Sequence, residues 1–243
     1  MINTSNTVRN LLLCSTALVA MPLAVTTASA ASFTVTAGMV DVTEKTLESN
    51  ETGVIEATGT QDADVTITGN TDVTFTNDGQ FNGTANVDNN HEDGSTGVAI
   101  VNNGTVSGSS FAINVVASSD VSGGIENSGT IGVMAVIGES GNNAAAISVE
   151  RSSDISGGID NSGYIRIETI SGESANNNAA AINVEYSSDI SGGITNSGEI
   201  LGTGESAAAV EVHSSSDISG GITNSGLIIN EENSGAAIQV SNS

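Results

Sequence analysis

Large and aromatic side chains are scarce in this sequence. Its 243 residues include no Trp, one Pro, one Cys, two Tyr and four Phe. A globular domain of this length usually builds its core around many large side chains, so this composition argues against a compact, enzyme-like core. Small residues and 29 glycines dominate instead.

Positive charge is equally scarce. Four Lys and Arg stand against 28 Asp and Glu, which gives a formal net charge of −24. Such a surface repels phosphate backbones and anionic lipid, so neither nucleic-acid binding nor polybasic membrane attachment is expected. Disorder is the other class that an acidic, Gly-rich composition suggests. However, 37% of the residues are hydrophobic and recur at regular intervals, which is not typical of disordered chains.

Residues 1–30 have the pattern of a Sec signal peptide. One cation, Arg9, precedes an apolar stretch from Leu11 to Val25, and Ala28-Ser29-Ala30 forms a small-x-small cleavage site. The stretch is short and interrupted by polar residues and Pro22, which disfavours a transmembrane anchor. We expect cleavage after Ala30. The mature chain, 31–243, would be exported and free of cysteine, because the one Cys lies at position 14.

A fourteen-residue block occurs four times in the second half of the chain. It reads Ser-Ser-Asp-(Ile/Val)-Ser-Gly-Gly-Ile-x-Asn-Ser-Gly-x-Ile, and an apolar pair such as Ile147 and Val149 precedes each copy at constant spacing. Its Asp residues are Asp120, Asp154, Asp189 and Asp217. An Asn-x-Gly turn recurs over a longer stretch, at Asn77, Asn102, Asn127, Asn161, Asn196 and Asn224. Self-similarity of this kind is the signature of a repeat architecture.

The spacing of the apolar residues identifies the repeat unit. Within the block they are two or four residues apart, which matches the period of a strand rather than a helix. The Asn residues of successive turns lie 25 to 35 residues apart, and the variation falls after the turn. The sequence therefore predicts an all-β fold, a parallel β-helix (β-solenoid) with one three-stranded coil per 25–35 residues. Length differences should be absorbed at one corner, and Asn and Gly should supply left-handed backbone at the bends.

Stacked coils would align equivalent residues into columns. An Ile column should fill the interior, with Ile125, Ile159, Ile194 and Ile222. The Asn column should pass side-chain amide hydrogen bonds from coil to coil. Stacked Asp carboxylates would repel, so they must be splayed into solvent, bonded to the adjacent bend or shared with cations. A turn-forming Asp is the favoured interpretation, and calcium binding is the alternative.

We divide the mature chain into two regions. Residues 31–97 alternate apolar residues with Thr, as at Val65-Thr66-Ile67-Thr68, and are expected to form an N-terminal cap and degenerate coils. Residues 98–243 are expected to form the regular solenoid. The chain ends shortly before the next Asp of the repeat would occur, so we expect a chain truncated at its C-terminus.

The Gly-Gly-Ile-x-Asn-Ser-Gly-x-Ile units resemble the passenger repeats of bacterial autotransporters and related large β-solenoid surface adhesins. The resemblance covers 98–243 strongly and 31–97 weakly. It implies an exported protein at the cell surface, in the outer membrane or outside the cell, that serves as a stalk or adhesin scaffold. The partner would be a host cell, matrix, polysaccharide or another copy of the chain. The family's C-terminal translocator barrel does not occur in these residues, so we expect membrane association only through such a barrel beyond them.

An enzyme acting on polysaccharide is the alternative function, because parallel β-helices host such activities. Catalytic residues should be unique, but the acids here are mostly periodic, and the mature chain has only Lys45, Arg151 and Arg166 as cations. We expect both histidines, His91 and His213, to be solvated loop residues. An ice-binding face is disfavoured because the Thr array stops after residue 76. The sequence therefore predicts a non-catalytic protein and nominates no catalytic, cofactor-binding or metal-binding residue.

Overall fold

The computed structural model of the chain describes residues 32–89, 96–137, 144–171, 179–204, 207–231 and 236–241. The expected signal peptide, residues 1–30, and His91 lie outside these ranges. The described residues contain no helix, and so none that could cross a membrane.

Twenty-four strands, β1 to β24, form three parallel sheets of eight strands each. The first sheet contains β1 Phe33–Val35, β4 Thr52–Ile55, β7 Thr71–Asn77, β10 Thr96–Asn102, β13 Gly124–Asn127, β16 Ile159–Asn161, β19 Ile194–Asn196 and β22 Ile222–Asn224. The second contains β2 Val40–Asp41, β5 Thr60–Gln61, β8 Gln80–Phe81, β11 Thr105–Gly108, β14 Thr130–Ile137, β17 Tyr164–Ser171, β20 Glu199–Thr203 and β23 Leu227–Asn230. The third contains β3 Lys45–Leu47, β6 Val65–Ile67, β9 Ala85–Val87, β12 Phe111–Val115, β15 Ala144–Glu150, β18 Ala179–Glu185, β21 Ala207–His213 and β24 Ile238–Ser241.

Each sheet receives every third strand, so three consecutive strands make one coil of a parallel β-helix. We number the coils 1 to 8 from the N-terminus. This confirms the predicted fold class, and the sheets continue through β10, which contains the expected boundary between residues 97 and 98. Seven steps of about 4.8 Å between neighbouring strands give a stack about 34 Å long.

Coil length varies along the stack. Phe33 pairs with Gly53, and Gly53 with Phe75, so the first two coils have 20 and 22 residues. These coils are shorter than the expected 25–35 residues. Ile125 pairs with Ile159, and Ile159 with Ile194, so coils 5 and 6 have 34 and 35 residues. The earliest coils therefore bend with fewer residues.

The length differences of the later coils occur at one corner, as expected. In coils 5 and 6, the first Ala of the third strand precedes the Asn of the next coil by 17 residues, as Ala144 precedes Asn161 and Ala179 precedes Asn196. The path from that Asn to the next third strand changes from 18 residues, Asn161 to Ala179, to 11 residues, Asn196 to Ala207. The variable corner therefore lies between the second and third strands.

The core is a column of aliphatic side chains between the three sheets. Ile125, Ile159 and Ile194 are each at most 2% exposed, which confirms the predicted Ile column, although Ile222 in coil 8 is only partly buried. Each buried Ile contributes roughly 1.5–3 kcal/mol to stability. Phe75 and Phe81 fill coil 3 in an edge-to-face contact with ring centroids 5.4 Å apart.

The sharp corner after the third strand uses left-handed backbone at residues other than Gly. Two consecutive residues in each of coils 4 to 7 have φ between 57° and 63°: Ala117 and Ser118, Arg151 and Ser152, Tyr186 and Ser187, and Ser214 and Ser215. The second Gly of each Gly-Gly pair is also left-handed, as at Gly158 with φ 80°. The prediction for Gly is confirmed there, but the prediction that the repeated Asn supplies left-handed backbone was wrong.

Strand position and close packing, rather than left-handed backbone, explain the repeated Asn and the Gly two residues after it. The Asn residues lie at the ends of first-sheet strands, as Asn161 does in β16, and no member of the series has a positive φ. Gly163 is required by close approach, because a Cβ atom there would collide with the carbonyl oxygen of Gly129 in the coil before.

Candidate functional site: polar ladders and a buried acidic cluster

The repeated Asn side chains form a hydrogen-bonded ladder along the stack. The Nδ2 of Asn127 donates to Oδ1 of Asn161 at 2.7 Å, and Nδ2 of Asn161 donates to Oδ1 of Asn196 at 2.7 Å. The same bond links Asn77 to Asn102, Asn102 to Asn127, and Asn196 to Asn224, at 2.7–2.8 Å. Every member except Asn224 is at most 2% exposed. The predicted amide ladder is confirmed.

Each amide nitrogen in the ladder also contacts backbone carbonyls. The Nδ2 of Asn161 lies 3.2 Å from the carbonyl oxygen of Gly163 in its own coil and 3.2 Å from that of Glu199 in the next coil. One side chain therefore holds the bend of its own coil and joins two coils together.

The repeated Asp residues are bonded to the adjacent coil. Oδ1 of Asp154 accepts from the backbone N–H of Ser191 at 3.0 Å, and its Oδ2 accepts from the Ser191 hydroxyl at 2.6 Å. Asp120 accepts from Ser156, and Asp189 from Ser219, in the same way. Of the three arrangements expected for stacked carboxylates, this is bonding to the adjacent bend, because the Ser that each carboxylate binds belongs to the following coil.

These hydrogen bonds also offset the electrostatic repulsion between stacked carboxylates. Asp120, Asp154, Asp189 and Asp217 are aligned in register from coil to coil. The carboxylates of the first three each receive a hydroxyl and an amide proton from the next coil, and charge-assisted bonds of this kind are stronger than neutral ones. Within the described part of the chain, no group of three or more His, Cys, Asp or Glu side chains is arranged to hold a metal ion.

The outward face of the third sheet is covered in coils 5 to 7. Ile147 and Val149 point into the core, so Ser148 and Glu150 of the same strand point outward. The column that contains Ser148 begins at exposed Thr46, continues through half-buried Asn86 and Asn114, and becomes buried at Ser148, Asn183 and Glu211. All seven residues of β15 and of β18 are buried, so both faces of these strands are packed.

Sequence reasoning missed this covered face, although the sequence carried a signal for it. The three buried strands open with Ala-Ala-Ala, at 144–146, 179–181 and 207–209. Small side chains on both faces of a strand are suited to close packing from both sides, and a strand with one solvated face would alternate apolar and polar residues.

Three glutamates lie on this covered face, with Glu185 between the other two. Glu150, Glu185 and Glu211 are 9%, 1% and 5% exposed. Glu150 is in register with Glu185, and Glu211 lies in the next coil, opposite Asn183. Carboxylates are almost never fully buried unless they are paired, so this acidic cluster, defined as these three residues, is the least ordinary polar feature of the described chain.

Burial changes the acidity of two members of the acidic cluster. Loss of water raises the pKa of Glu150 above its usual 4.5, Arg151 partly offsets this, and the charge of Glu185 raises it further. Loss of water likewise raises the pKa of Glu211, against a lowering by His213, and Glu185 again raises it. Both carboxyls therefore hold their protons to higher pH than an exposed Glu does.

The structure corrects the expectation for His213. It lies in β21 and its side chain is only 12% exposed, with Nε2 3.2 Å from Oε2 of Glu185 and Nδ1 3.0 Å from the Ser214 hydroxyl. His213 is therefore a half-buried partner of the acidic cluster and not a solvated loop residue. The strand that carries it is one of the three covered strands, which the local sequence around a single His does not reveal.

The three cations of the mature chain lie in different places. Lys45, in coil 1, pairs with Asp41 at 2.7 Å, and with help from Thr43 this lowers the pKa of Asp41 to about 2. Arg151 occupies a left-handed corner, with Nε 3.6 Å from Oε2 of Glu150. Arg166 lies on the exposed face of the second sheet beside Gly132 and Glu168, where they line a shallow groove.

The outer face of the second sheet also carries exposed apolar side chains. Met134, Tyr164 and Leu227 are 62%, 55% and 52% exposed. Single exposed apolar residues are common, but here they occupy strands of coils 5, 6 and 8 near the Arg166 groove. The outer surface of the second sheet is therefore both apolar and charged.

Comparison with protein families, with curated proteins and with solved structures found no match for this chain.

Proposed function

We propose that the mature chain, 31–243, is a non-catalytic segment of an exported cell-surface protein and serves as an extended stalk or adhesin scaffold, as the passenger segments of autotransporters do. The observation that carries the proposal is the repeated use of polar side chains to join one coil to the next. The Asn ladder and the Asp–Ser bonds occupy the positions that recur in the sequence. Residues repeated at equal spacing are suited to building length.

The surface supports a scaffold role in two further ways. The strong negative charge keeps rods apart, which limits association through sheet edges. Exposed Tyr164 and Arg166 on the second sheet offer an aromatic ring and a bidentate donor to a surface ligand. The stacked coils support a role as a stalk that extends from the cell surface. The surface around Tyr164 and Arg166 supports a role in adhesion.

Protease treatment of intact cells that make the protein tests the proposal. Peptides from coils 1 to 8 should be released from intact cells, and the N-terminus of the mature protein should be Ala31. A cytoplasmic protein followed in the same sample is the control for lysis. Release of the peptides only after lysis would contradict the proposal.

A screen for polysaccharide cleavage distinguishes the scaffold function from the alternative function, an enzyme that acts on polysaccharide. The purified mature chain should leave neutral and acidic polysaccharides intact, as judged by reducing-end release and by absorbance of unsaturated products. Cleavage of any of them, abolished by a substitution in this chain, would replace the scaffold with a β-helix enzyme.

A further inference from the structure

We propose that the acidic cluster on the third sheet makes coils 5 to 7 sensitive to pH, so that their outward face is tightly packed in mild acid and loosens as the pH rises. The inference concerns Glu150, Glu185, Glu211 and His213, and it does not depend on the stalk or adhesin role.

The geometry places these groups at neighbouring coil positions. Glu150 and Glu185 are register partners in adjacent third-sheet strands, which lie about 4.8 Å apart. Glu211 belongs to the next third-sheet strand, β21. The β21 residue opposite Glu185 is His213, and Glu211 lies two residues before it. All three are buried, so water does not screen them from one another as it would on the surface.

Asn183, beside the cluster, has a buried acceptor that a protonated carboxyl group is suited to satisfy. Its side chain is 2% exposed, and its Oδ1 has no hydrogen-bond donor. Asn183 is the register partner of Glu211. A carbonyl oxygen accepts hydrogen bonds and cannot donate them, and a carboxylate is also an acceptor only. A protonated Glu211 has the O–H group that Oδ1 of Asn183 lacks.

Within the described part of the chain, the charged groups that act on Glu150 and Glu211 lie on the third sheet and at its corner. Arg151 acts on Glu150 at 3.6 Å, but the Arg151 side chain is 69% exposed and so is well screened. His213 lies 3.2 Å from Glu185 and carries a charge only when protonated. The charges that act on Glu150 and Glu211 are those of Arg151, His213 and Glu185. Among the described residues, Arg151 and His213 therefore act against the mutual repulsion of these carboxylates.

The sign of the pH effect follows from where the protons are held. Glu150 and Glu211 have raised pKa values in the folded chain, so between pH 4.5 and those raised values the folded state holds more protons than the unfolded state. Stability from these groups is complete below pH 4.5 and is lost as the pH rises through their folded pKa values.

Amide substitution of the two shifted glutamates tests the proposal. The double variant Glu150→Gln, Glu211→Gln keeps the shape of both side chains and removes their titration. We expect the unfolding constant of the wild-type mature chain to rise between pH 5 and pH 8. The rise should be about tenfold for each unit by which folding raises the pKa of one of these carboxyl groups. In the double variant this rise should be several-fold smaller.

A matched control separates the acidic cluster from the net charge. Glu126→Gln removes one charge from an exposed position on the first sheet of coil 5. It should leave the pH dependence close to that of the wild type. An unchanged pH dependence in the double variant, or an equal reduction in the Glu126→Gln variant, would overturn the proposal.

Hydrogen exchange of the wild-type chain gives a second, local readout that needs no variant. After correction for intrinsic base catalysis, amides of β18 in the third sheet should lose protection between pH 5 and pH 8. Amides of β16, in the first sheet of the same coil, should lose several-fold less. Equal loss in the two strands would overturn the proposal even if the double variant did not fold.

Discussion

At the scale of single residues, this solenoid depends on side chains that satisfy polar groups in the neighbouring coil. Asn161 is completely buried, accepts from Asn127 and donates to Asn196. Such a residue cannot be replaced without leaving an acceptor in the next coil without its donor. Buried groups left without partners cost far more than an intact hydrogen bond contributes.

Asn161→Ala should therefore destabilise the chain by about 1–3 kcal/mol, because Oδ1 of Asn196 loses the amide proton of Asn161. Urea unfolding followed by circular dichroism measures the change. Asn103→Ala is the control, since Asn103 bonds to Asp78 and Ser128 but is exposed. The control should stay within about 0.5 kcal/mol of the wild type, and equal losses in both variants would contradict the ladder's importance.

The left-handed corners are a second feature of single residues. Ala117 is exposed with φ 59°, a conformation that costs a residue with a Cβ atom about 1–2 kcal/mol. Four corners have this conformation at two consecutive positions each, so this unfavourable conformation occurs at eight residues. The stacking of one corner on the next maintains it.

Ala117→Gly should stabilise the chain by up to about 1 kcal/mol, because relief of the left-handed strain exceeds the added entropy of the unfolded chain. Thermal unfolding measures the shift. Ala57→Gly, at an exposed turn position without a positive φ, should lower stability by roughly 0.5 kcal/mol or more. A loss of stability in both variants would show that the corner at Ala117 is not strained.

At the scale of elements, the third-sheet strands fall into two kinds. β3, β6, β9 and β12 each have at least one half-buried or exposed residue facing outward, whereas β15 and β18 are buried on both faces. β15 and β18 belong to the coils with 34 and 35 residues, and β21, buried except at His213, belongs to a coil with 28. A longer coil and a covered outer face therefore occur together.

Ser148→Leu should destabilise the chain by about 1–3 kcal/mol, because a larger side chain must be inserted where the outward face is already packed. Thr46→Leu is a matched control, since Thr46 occupies the same column of the same sheet in coil 1 and is exposed. It should change stability by no more than about 0.5 kcal/mol. Urea unfolding of both variants measures the difference, and similar small effects at the two positions would mean that the face at Ser148 is accessible.

At the scale of the whole molecule, charge opposes the compact stack. A formal charge of −24 is distributed over a chain with four cations, one of them in the expected signal peptide. Self-repulsion of this size lowers stability and is reduced by salt, because the screening length falls from about 30 Å at 0.01 M to about 8 Å at 0.15 M.

Raising NaCl from 0.01 M to 0.15 M should therefore raise the urea midpoint of the mature chain. CaCl₂ at the same ionic strength should give the same midpoint, because the Asp carboxylates already accept hydrogen bonds from Ser residues of the next coil. A midpoint clearly higher in CaCl₂ than in NaCl would instead support calcium binding by the Asp column.

The repeat by itself determined the coil, the Ile and Asn columns and the position of the variable corner. Those features follow from spacing, because residues at equal spacing must align when strands pair in register. Tertiary structure alone decided that Asp154 binds Ser191 of the next coil and that two consecutive residues at the corners of coils 4 to 7 are left-handed. It also decided that Glu150, Glu185 and Glu211 are buried, with His213 half-buried beside them. The physical reason is that strand periodicity specifies which side chains point inward, whereas the outward side chains take their environment from whatever packs on the sheet from outside.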